Sequence, residues 1–328
     1  MSYHHLTPFE RGKLKALHDE GKSQAFIAQA LGRDRSCIYR ELKRNHADKK
    51  GYDPERAQRR YEQVRKECVK HRKIDLLALW NYLFEKLSEN WSPEQVAHRI
   101  RLEYPEDPQM RISYETIYRA LYSDERLRVL IAHLRQARPK RRKHGMGKNR
   151  RGPSIPNRIS IEERPKHIED RLELGHWEGD TVIGKNHRGA IVTLVERKSL
   201  YLSACPVSSK NAYEVAQAIM DTMNELPAKG VKTVTFDNGT EFAAHEKITK
   251  ELGTPIYFAH PYSSNERARN ENTNGLLRQY LPKGTSFEHL DNSNVEAIVY
   301  ELNNRPRKTL GYRTPHEVFY NLPVALGA

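Results

Sequence analysis

Three acidic residues in the second half of the chain could together hold catalytic metal ions. Asp180 closes the segment GHWEGD, Asp237 lies in TFDNGTEF, and Glu271 lies in NENTNG. Three converging carboxylates repel one another unless cations neutralise them, so their convergence would imply Mg²⁺ or Mn²⁺. Two such ions, about 3.5 to 4 Å apart, activate a nucleophile and stabilise the leaving oxygen in a phosphoryl displacement. Each acid alone is weak evidence, because Asp237 could belong to an ordinary turn, Asp180 could cap a strand end, and Glu271 could be an exposed helix charge.

Alternating and helical patterns around these acids predict the elements that must position them. Short runs rich in Val, Ile and Thr are interleaved with runs of helical spacing. We expect three strands, a helix, a strand, a helix, a strand and a final helix, over residues 181–183, 190–195, 201–207, 211–226, 231–236, 245–252, 255–258 and 270–280. That order is typical of a ribonuclease H-like sheet. Asp180 at the start of the first strand and Asp237 at the end of the fourth would then lie on central neighbouring strands, with Glu271 reaching them from the last helix.

The helix predicted to carry Glu271 also carries an arginine. Arg278 follows Glu271 by seven positions. Because this spacing is about two helical turns, both side chains project from one face, and Arg278 could contact a DNA phosphate near the metals. The opposite face, with Leu276 and Leu277, is expected to pack on the sheet. Glu266 is an alternative third acid, but it lies in the preceding loop and has no helix to aim its carboxylate.

The composition of the chain favours a nucleic-acid partner. Its 328 residues carry 56 Lys and Arg against 42 Asp and Glu, a formal net charge of +14, and the pI is about 9.6. Double-stranded DNA is the leading polyanion, although basic proteins also bind membranes or acidic partners. No apolar run approaches the ~20 residues that span a bilayer and no signal peptide is evident, so we expect a cytoplasmic protein without a membrane partner. The chain has no G-x-x-x-x-G-K-[ST] loop, and nothing suggests ATP.

A strongly basic run separates the two halves of the chain. Residues 138–151 read RPKRRKHGMGKNRR, with eight Lys or Arg and no acid, and the turn-rich residues 152–154 follow. We place a boundary near residue 155. The run fits a solvated linker and also a segment that follows a DNA backbone, and both can hold at once. Its candidate phosphate contacts are Lys140, Arg141 and Arg142.

The first fifty residues contain a pattern of the helix-turn-helix type. A short helix over residues 24–31 breaks at Gly32, and a second helix runs from about residue 34 or 35 to residue 44. The second helix presents a basic outward face suited to base edges and phosphates in a major groove. The residues of that face are Arg35, Ser36, Tyr39, Arg40 and Lys43. A protein-binding three-helix module is the alternative, which a basic rather than apolar face disfavours.

A second helix pair follows the charged, helical stretch at residues 54–73. Ser92 can cap a helix start, and Gln95 completes a capping box. The segment SYETIYR at residues 113–119 is then a second candidate recognition helix, with Tyr114 and Arg119 on its polar face. Its apolar residues are expected in a core, and the module could serve dimer contacts instead of DNA binding.

The ordered motifs of the chain resemble those of a known family. GHWEGD, TFDNGTEF and NENTNGLLRQYLPKG, with 33 residues between the second and third acids, resemble the catalytic signature of DDE insertion-sequence transposases, most specifically the family founded by insertion sequence thirty. LTPFERGKL, IYRELKRN and NNRPRKTLGYRTPHEVF match its flanking segments, so the similarity covers most of the chain. The resemblance implies that Asp180, Asp237 and Glu271 are the catalytic and metal-binding acids. It also implies a bacterial, nucleoid-associated protein that binds terminal inverted repeats, cuts the element's ends and joins them to target DNA. A homodimer or higher multimer is expected, because two ends must meet.

The predicted architecture is multidomain, with all-α helix-turn-helix modules at the N-terminus followed by an α/β ribonuclease H-like catalytic core. We assign a helix-turn-helix domain to residues 1–50, a charged helical connector to 51–89, a second helix-turn-helix module to 90–135, a basic linker to 136–158 and the catalytic core with C-terminal helices to 159–328. Two other functions stay open at this point. The chain could be a DNA-binding regulator with a decayed core, or a simple metal-dependent nuclease that uses only water as nucleophile.

Overall fold

The computed structural model of the chain describes residues 5–45, 51–67, 72–135, 155–227, 230–261, 266 and 268–327. The chain divides into two compact units, Met1–Asp75 and Leu76–Ala328. The division falls inside the stretch predicted as a connector, residues 51–89. The finer division into five parts stays a prediction.

The first unit is helical. Its helices are α1 (Pro8–Asp19), α2 (Gln24–Leu31), α3 (Arg35–Asn45) and α4 (Pro54–Glu67). Gly32 adopts a left-handed conformation, φ 60°, that ends α2 and turns the chain into α3. Leu14, Ile27 and Ile38 are fully buried where α1, α2 and α3 meet. The predicted helix-turn-helix is therefore present, with α3 beginning at Arg35.

The second unit begins with four helices, α5 (Leu77–Ser88), α6 (Pro93–Glu103), α7 (Tyr114–Ser123) and α8 (Glu125–Arg128). The predicted capping box between Ser92 and Gln95 starts α6. The α6 helix packs on the C-terminal segment, because the Arg99 guanidinium donates to the Glu317 carboxylate at 2.5 and 2.8 Å and the pair is buried. The helix pair predicted as a separate second module thus belongs to the same compact unit as the sheet.

A six-stranded mixed sheet forms the centre of the second unit. Its strands are β1 (Ile159–Ser160), β2 (His176–Ile183), β3 (Ala190–Glu196), β4 (Leu202–Val207), β5 (Thr233–Phe236) and β6 (Ile256–Phe258), in the spatial order β1-β6-β5-β2-β3-β4. The β2, β3 and β4 strands are antiparallel neighbours, whereas β5 pairs parallel with both β2 and β6. The predicted order of strands and helices, and the adjacency of the first and fourth predicted strands, are confirmed.

Five further helices follow or flank these strands: α9 (Ala212–Asn224), α10 (His245–Leu252), α11 (Ala268–Tyr280), α12 (Asn292–Asn303) and α13 (Pro315–Phe319). One face of the sheet packs on α9 and α10 through a core that includes Phe236 and Ile219. The other face packs on α11 and α12, where Leu276 and Leu277 are buried against Val182 as predicted. The N-terminal helix-turn-helix and the layered α/β core confirm the predicted fold class. Across the described ranges, no helix combines the length and the apolar character needed to cross a membrane.

The first long strand differs from its prediction. It begins at His176 rather than near residue 181, so Asp180 is its fifth residue and not its start. The preceding Trp177 and Glu178 are fully buried. The sequence pattern did not predict this part of β2, because a charged residue such as Glu178 is not expected in a buried strand. Alternation of apolar and polar residues is typical of a strand with one solvated face, whereas both faces of β2 are covered. The short β1, which pairs with β6, was not predicted.

Candidate active site

The register of two central strands brings Asp180 and Asp237 together. The parallel pairing of β2 with β5 sets Glu178 opposite Thr235. Continuing this register by two residues sets Asp180 opposite Asp237, which directly follows β5. Neighbouring strands lie about 4.8 Å apart, and alternate residues share a face. Since Val182 packs on α11, both aspartates project on the face that α11 covers.

Hydrogen bonds orient both half-buried carboxylates. Asp180 Oδ1 accepts from the Thr181 backbone amide at 2.9 Å, and its Oδ2 accepts from the Asn274 side-chain amide at 2.9 Å. Asp237 Oδ1 accepts from the Gly239 backbone amide at 3.0 Å. Because Asn274 lies on α11, the catalytic candidate on β2 is tied directly to the helix that carries Glu271.

Glu271 lies in the first turn of α11, and its side chain is exposed. The three predicted acids do not form a cluster whose ligand atoms all lie within 4.8 Å of one another. Within the ranges that the structure describes, the group that meets this limit is His167, Glu173 and His176. The structure sets Asp180 and Asp237 opposite each other and leaves Glu271 on the neighbouring helix. The donor set of three carboxylates fits a hard divalent cation with oxygen ligands.

A fourth acid beside the site escaped the sequence reasoning. Glu241 is buried, and its Oε1 accepts from Thr181 Oγ1 at 2.7 Å and from Lys210 Nζ at 2.5 Å. Burial alone would raise the pKa of Glu241, but the hydrogen bonds from Lys210 and Thr181 outweigh it and lower the pKa below its ordinary value. A Cβ at Gly239 would lie 2.5 Å from the Glu241 carboxylate and 3.0 Å from Asp237 Oδ1. This glycine therefore lets two acids approach, a role that the motif TFDNGTEF suggests only in hindsight.

The predicted arginine on α11 is anchored to the protein. Arg278 Nη2 donates to the Ile183 carbonyl at 2.9 Å, and its guanidinium lies 5.6 Å from the centroid of the Phe287 ring. Burial lowers its pKa. These contacts place Arg278 at the end of β2, and its contact with a DNA phosphate stays a prediction. The rival acid Glu266 accepts from the His260 ring at 2.7 Å.

The predicted DNA-facing side chains of both helix pairs are exposed. On α3 these are Arg35, Ser36, Tyr39, Arg40 and Lys43. Tyr114 and Arg119 are likewise exposed on α7. The residues of the basic run, Lys140, Arg141 and Arg142, lie outside the described residues.

Comparisons with known proteins identify the class of protein to which this chain belongs. A helix-turn-helix domain model matches residues 2–45, and an integrase core domain model matches residues 170–264, ending just before Glu271. The catalytic core domain of BIV integrase covers 45% of this chain and 95% of its own length at 22% identity and a TM-score of 0.37, a likeness too weak to support a conclusion. The two domain matches and the sheet define an integrase-type nucleotidyl transferase joined to a DNA-binding domain. Proteins with such a core depend on divalent metal ions.

Full-length relatives narrow the class to a family. The transposase for insertion sequence element IS4351 of Bacteroides fragilis is 41% identical over 96% of this chain and 95% of its own. The IS1086 transposase of Cupriavidus metallidurans is 38% identical over 96% and 94%, and the InsI transposase of IS30A of Escherichia coli is 39% identical over 96% and 83%. The chain belongs to the IS30 family of insertion-sequence transposases. It is an enzyme of DNA transposition that binds DNA.

Proposed function

We propose that this transposase binds the terminal inverted repeats of its insertion sequence, cuts DNA at the element's ends and joins those ends to target DNA. The observation that carries the proposal is the register of β2 and β5, which sets Asp180 opposite Asp237 on the face covered by α11. Glu271 in the first turn of α11 supplies the third acid. This constellation suits phosphoryl transfer, whose demands are positioning and charge stabilisation.

The proposed cofactor is a pair of Mg²⁺ or Mn²⁺ ions held by Asp180, Asp237 and Glu271. When bound, such ions supply Lewis acidity at the nucleophile and at the leaving oxygen. The protein's part is orientation. Thr181 and Asn274 hold the two oxygens of Asp180, and the Gly239 amide holds Asp237.

Two displacements at phosphorus account for the proposed reaction. In the first, a water molecule loses a proton and its oxygen bonds to the scissile phosphorus, the bond from phosphorus to the 3′ oxygen breaks, and that 3′ oxygen takes up a proton. In the second, the freed 3′-hydroxyl loses its proton and its oxygen bonds to a target phosphorus, displacing the 3′ oxygen of the target strand, which takes up a proton. Each joining step breaks one phosphodiester bond and forms one, so no ATP is required. Pairing two ends calls for a dimer or higher multimer, and an element in the chromosome would place the protein on the nucleoid in the cytoplasm.

End recognition is assigned to the exposed face of α3. The α3 helix is the second helix of the helix-turn-helix, which is the helix that enters a major groove. Its surface carries the cations Arg35, Arg40 and Lys43. Lys43 Nζ also lies 5.6 Å from the centroid of the Tyr39 ring, so the two side chains form one patch. Tyr114 and Arg119 on α7 form the second proposed DNA contact.

Strand cleavage and joining on labelled DNA with the parent element's ends and Mg²⁺ test this proposal. We expect joined products from the wild type and from Glu266→Gln, and none from Glu271→Gln, while all three bind the ends specifically. Cleavage without joining in the wild type would favour a simple nuclease. Specific binding without cleavage in the wild type would favour a regulator. Equal joining by Glu271→Gln would overturn the assignment of the third acid.

A further inference from the structure

A fully buried carboxylate on β2 contacts the helix that carries Glu271. Glu178 is 0% exposed and precedes Asp180 by two residues on β2, so the two side chains share a face of the sheet. Neither the family matches nor the proposed chemistry gives Glu178 a role. Burying a charge is costly unless it is well paired, so its contacts indicate what it does.

The Glu178 side chain caps the helix that carries Glu271. Its Oε2 accepts from the backbone amides of Arg269 and Asn270, both at 3.1 Å. These are the second and third residues of α11, whose N–H groups have no partner within the helix. A negative charge at a helix N-terminus also interacts favourably with the helix dipole. The cap therefore fixes the start of α11, at Ala268, three residues before Glu271.

Further hydrogen bonds fix the rotation of α11 about its axis. The Asn270 side-chain amide donates to the Glu178 carbonyl at 2.8 Å, and Asn270 is fully buried. On β3, the Thr193 hydroxyl lies 3.2 Å from Asn270 Oδ1 and 3.1 Å from Asn274 Oδ1. Asn274 in turn donates to Asp180. Asn270 and Asn274 are four residues apart and so face the sheet together, which leaves Glu271 turned toward the edge of that face.

We propose that Glu178 is a positioning residue whose side chain holds the start of α11, and so sets Glu271 relative to Asp180 and Asp237. The inference rests on the proposed role of Glu271. It concerns hydrogen-bond acceptance by the side chain, so an uncharged acceptor of the same shape should replace it in part.

A purely structural ion pair is the competing explanation of the same carboxylate. Glu178 Oε1 faces Arg197 Nε at 3.5 Å, and both side chains are buried. Removing one partner of a buried pair is destabilising whatever its role in catalysis. A matched control is therefore needed, and the chain offers one. Glu196 on β3 is equally buried, but its Oε2 accepts from Ser199 and Lys198 in the β3–β4 turn and not from α11.

The test compares Glu178→Ala, Glu178→Gln, Glu196→Ala and the milder Thr193→Val in the full-length protein. The first readout is amide hydrogen exchange over residues 268–277 without DNA. The second is the Mn²⁺ concentration that gives half-maximal strand joining. We expect Glu178→Ala to raise the exchange rate and the half-maximal Mn²⁺ concentration by tenfold or more. Glu178→Gln should change each value by less than about threefold, because its amide oxygen can accept both backbone hydrogen bonds. Thr193→Val should fall between them, and Glu196→Ala should leave both near wild type.

Wild-type exchange over residues 268–277 in Glu178→Ala would overturn the proposal, and so would an equal effect of Glu196→Ala. If Glu178→Ala fails to fold, Glu178→Asp takes its place, because its shorter side chain keeps a carboxylate near Arg197 but shortens its reach to the amides of Arg269 and Asn270. Wild-type values for both readouts in Glu178→Asp would overturn the proposal. The exchange readout requires neither DNA nor metal. It therefore separates failure of the cap from failure of the proposed function, which would show instead as equal joining by Glu271→Gln and the wild type.

Discussion

Replacing Gly179 by alanine should displace the strand that leads into the candidate site. Gly179 lies between Glu178 and Asp180 on β2, and a Cβ there would lie 2.2 Å from Phe236 Cε1 and 2.6 Å from its Cδ1. Ordinary van der Waals contact begins at 3.4 Å, so the ring would have to retreat by about 1.2 Å. Phe236 has little freedom to do so, because it is fully buried and stacks on Phe242 with ring centroids 4.2 Å apart.

Overpacking of this kind costs about 1 to 3 kcal/mol, and the severity of the overlap favours the upper end. Since Phe236 immediately precedes Asp237, part of the displacement should reach the candidate site. We expect Gly179→Ala to lower the free energy of unfolding by about 2 to 3 kcal/mol. Joining activity per folded molecule should fall by tenfold or more.

Urea denaturation followed by tryptophan fluorescence measures the free energy of unfolding. Strand joining under native conditions measures the activity per folded molecule. Gly12→Ala is the control, because its Cβ would meet nothing within 4 Å in the middle of α1. In a helix that change should be neutral or stabilising by about 0.5 to 1 kcal/mol. A Gly179→Ala protein with wild-type stability and activity would refute the packing argument.

Three further predictions concern DNA binding by α3, the orientation of Asp180, and the stability of α1 in acid. Arg40→Ala removes an exposed cation from α3 and should weaken binding to the element's ends about tenfold, as measured by fluorescence anisotropy. The free energy of unfolding, measured by denaturation, should change by less than about 0.5 kcal/mol. Asn274→Ala removes the amide that donates to Asp180 and should lower the joining rate about tenfold, since hydrogen bonds to charged groups contribute about 1.5 to 3 kcal/mol; an unchanged rate would contradict this. The Arg33 guanidinium lowers the pKa of Glu10 to about 2 from 4.5, so its stabilisation is full above pH 4.5 and is lost as the pH falls toward 2. Glu10→Gln should therefore make the exchange protection of α1 less sensitive to acid over that window, and equal acid sensitivity would contradict it.

The order of elements and most buried faces could be predicted from the sequence, because periodicity reports which side of an element is covered. Leu276 and Leu277 in α11 are buried as their spacing predicts. The Ser92 capping box was equally readable, since its partners are three residues apart. Such signals are local, and the sequence displays them directly.

The start of β2 and the surroundings of the acids could not be predicted in this way. Glu178 is buried because residues 91 and 92 positions further along the chain supply its hydrogen bonds. The contact of Thr193 with Asn270 spans 77 positions. A buried polar group whose hydrogen-bond partners are distant in sequence does not follow the local hydrophobic periodicity. A strand that contains such a group is therefore easily predicted to be a loop. The catalytic roles of Asp180, Asp237 and Glu271 stay predictions.

Asp237 is proposed to hold a catalytic divalent ion, and replacing its ligand atom by sulfur tests that role. We would compare strand joining by Asp237→Cys in Mg²⁺ and in Mn²⁺, with the wild type and Glu266→Cys as controls. A thiolate is a poor ligand for Mg²⁺ and a better one for Mn²⁺. We predict that Asp237→Cys is inactive in Mg²⁺ and regains joining in Mn²⁺, with a Mn²⁺ to Mg²⁺ rate ratio at least tenfold above that of either control. Joining by Asp237→Cys in Mg²⁺ at the wild-type rate would show that Asp237 is not a ligand of the catalytic ion.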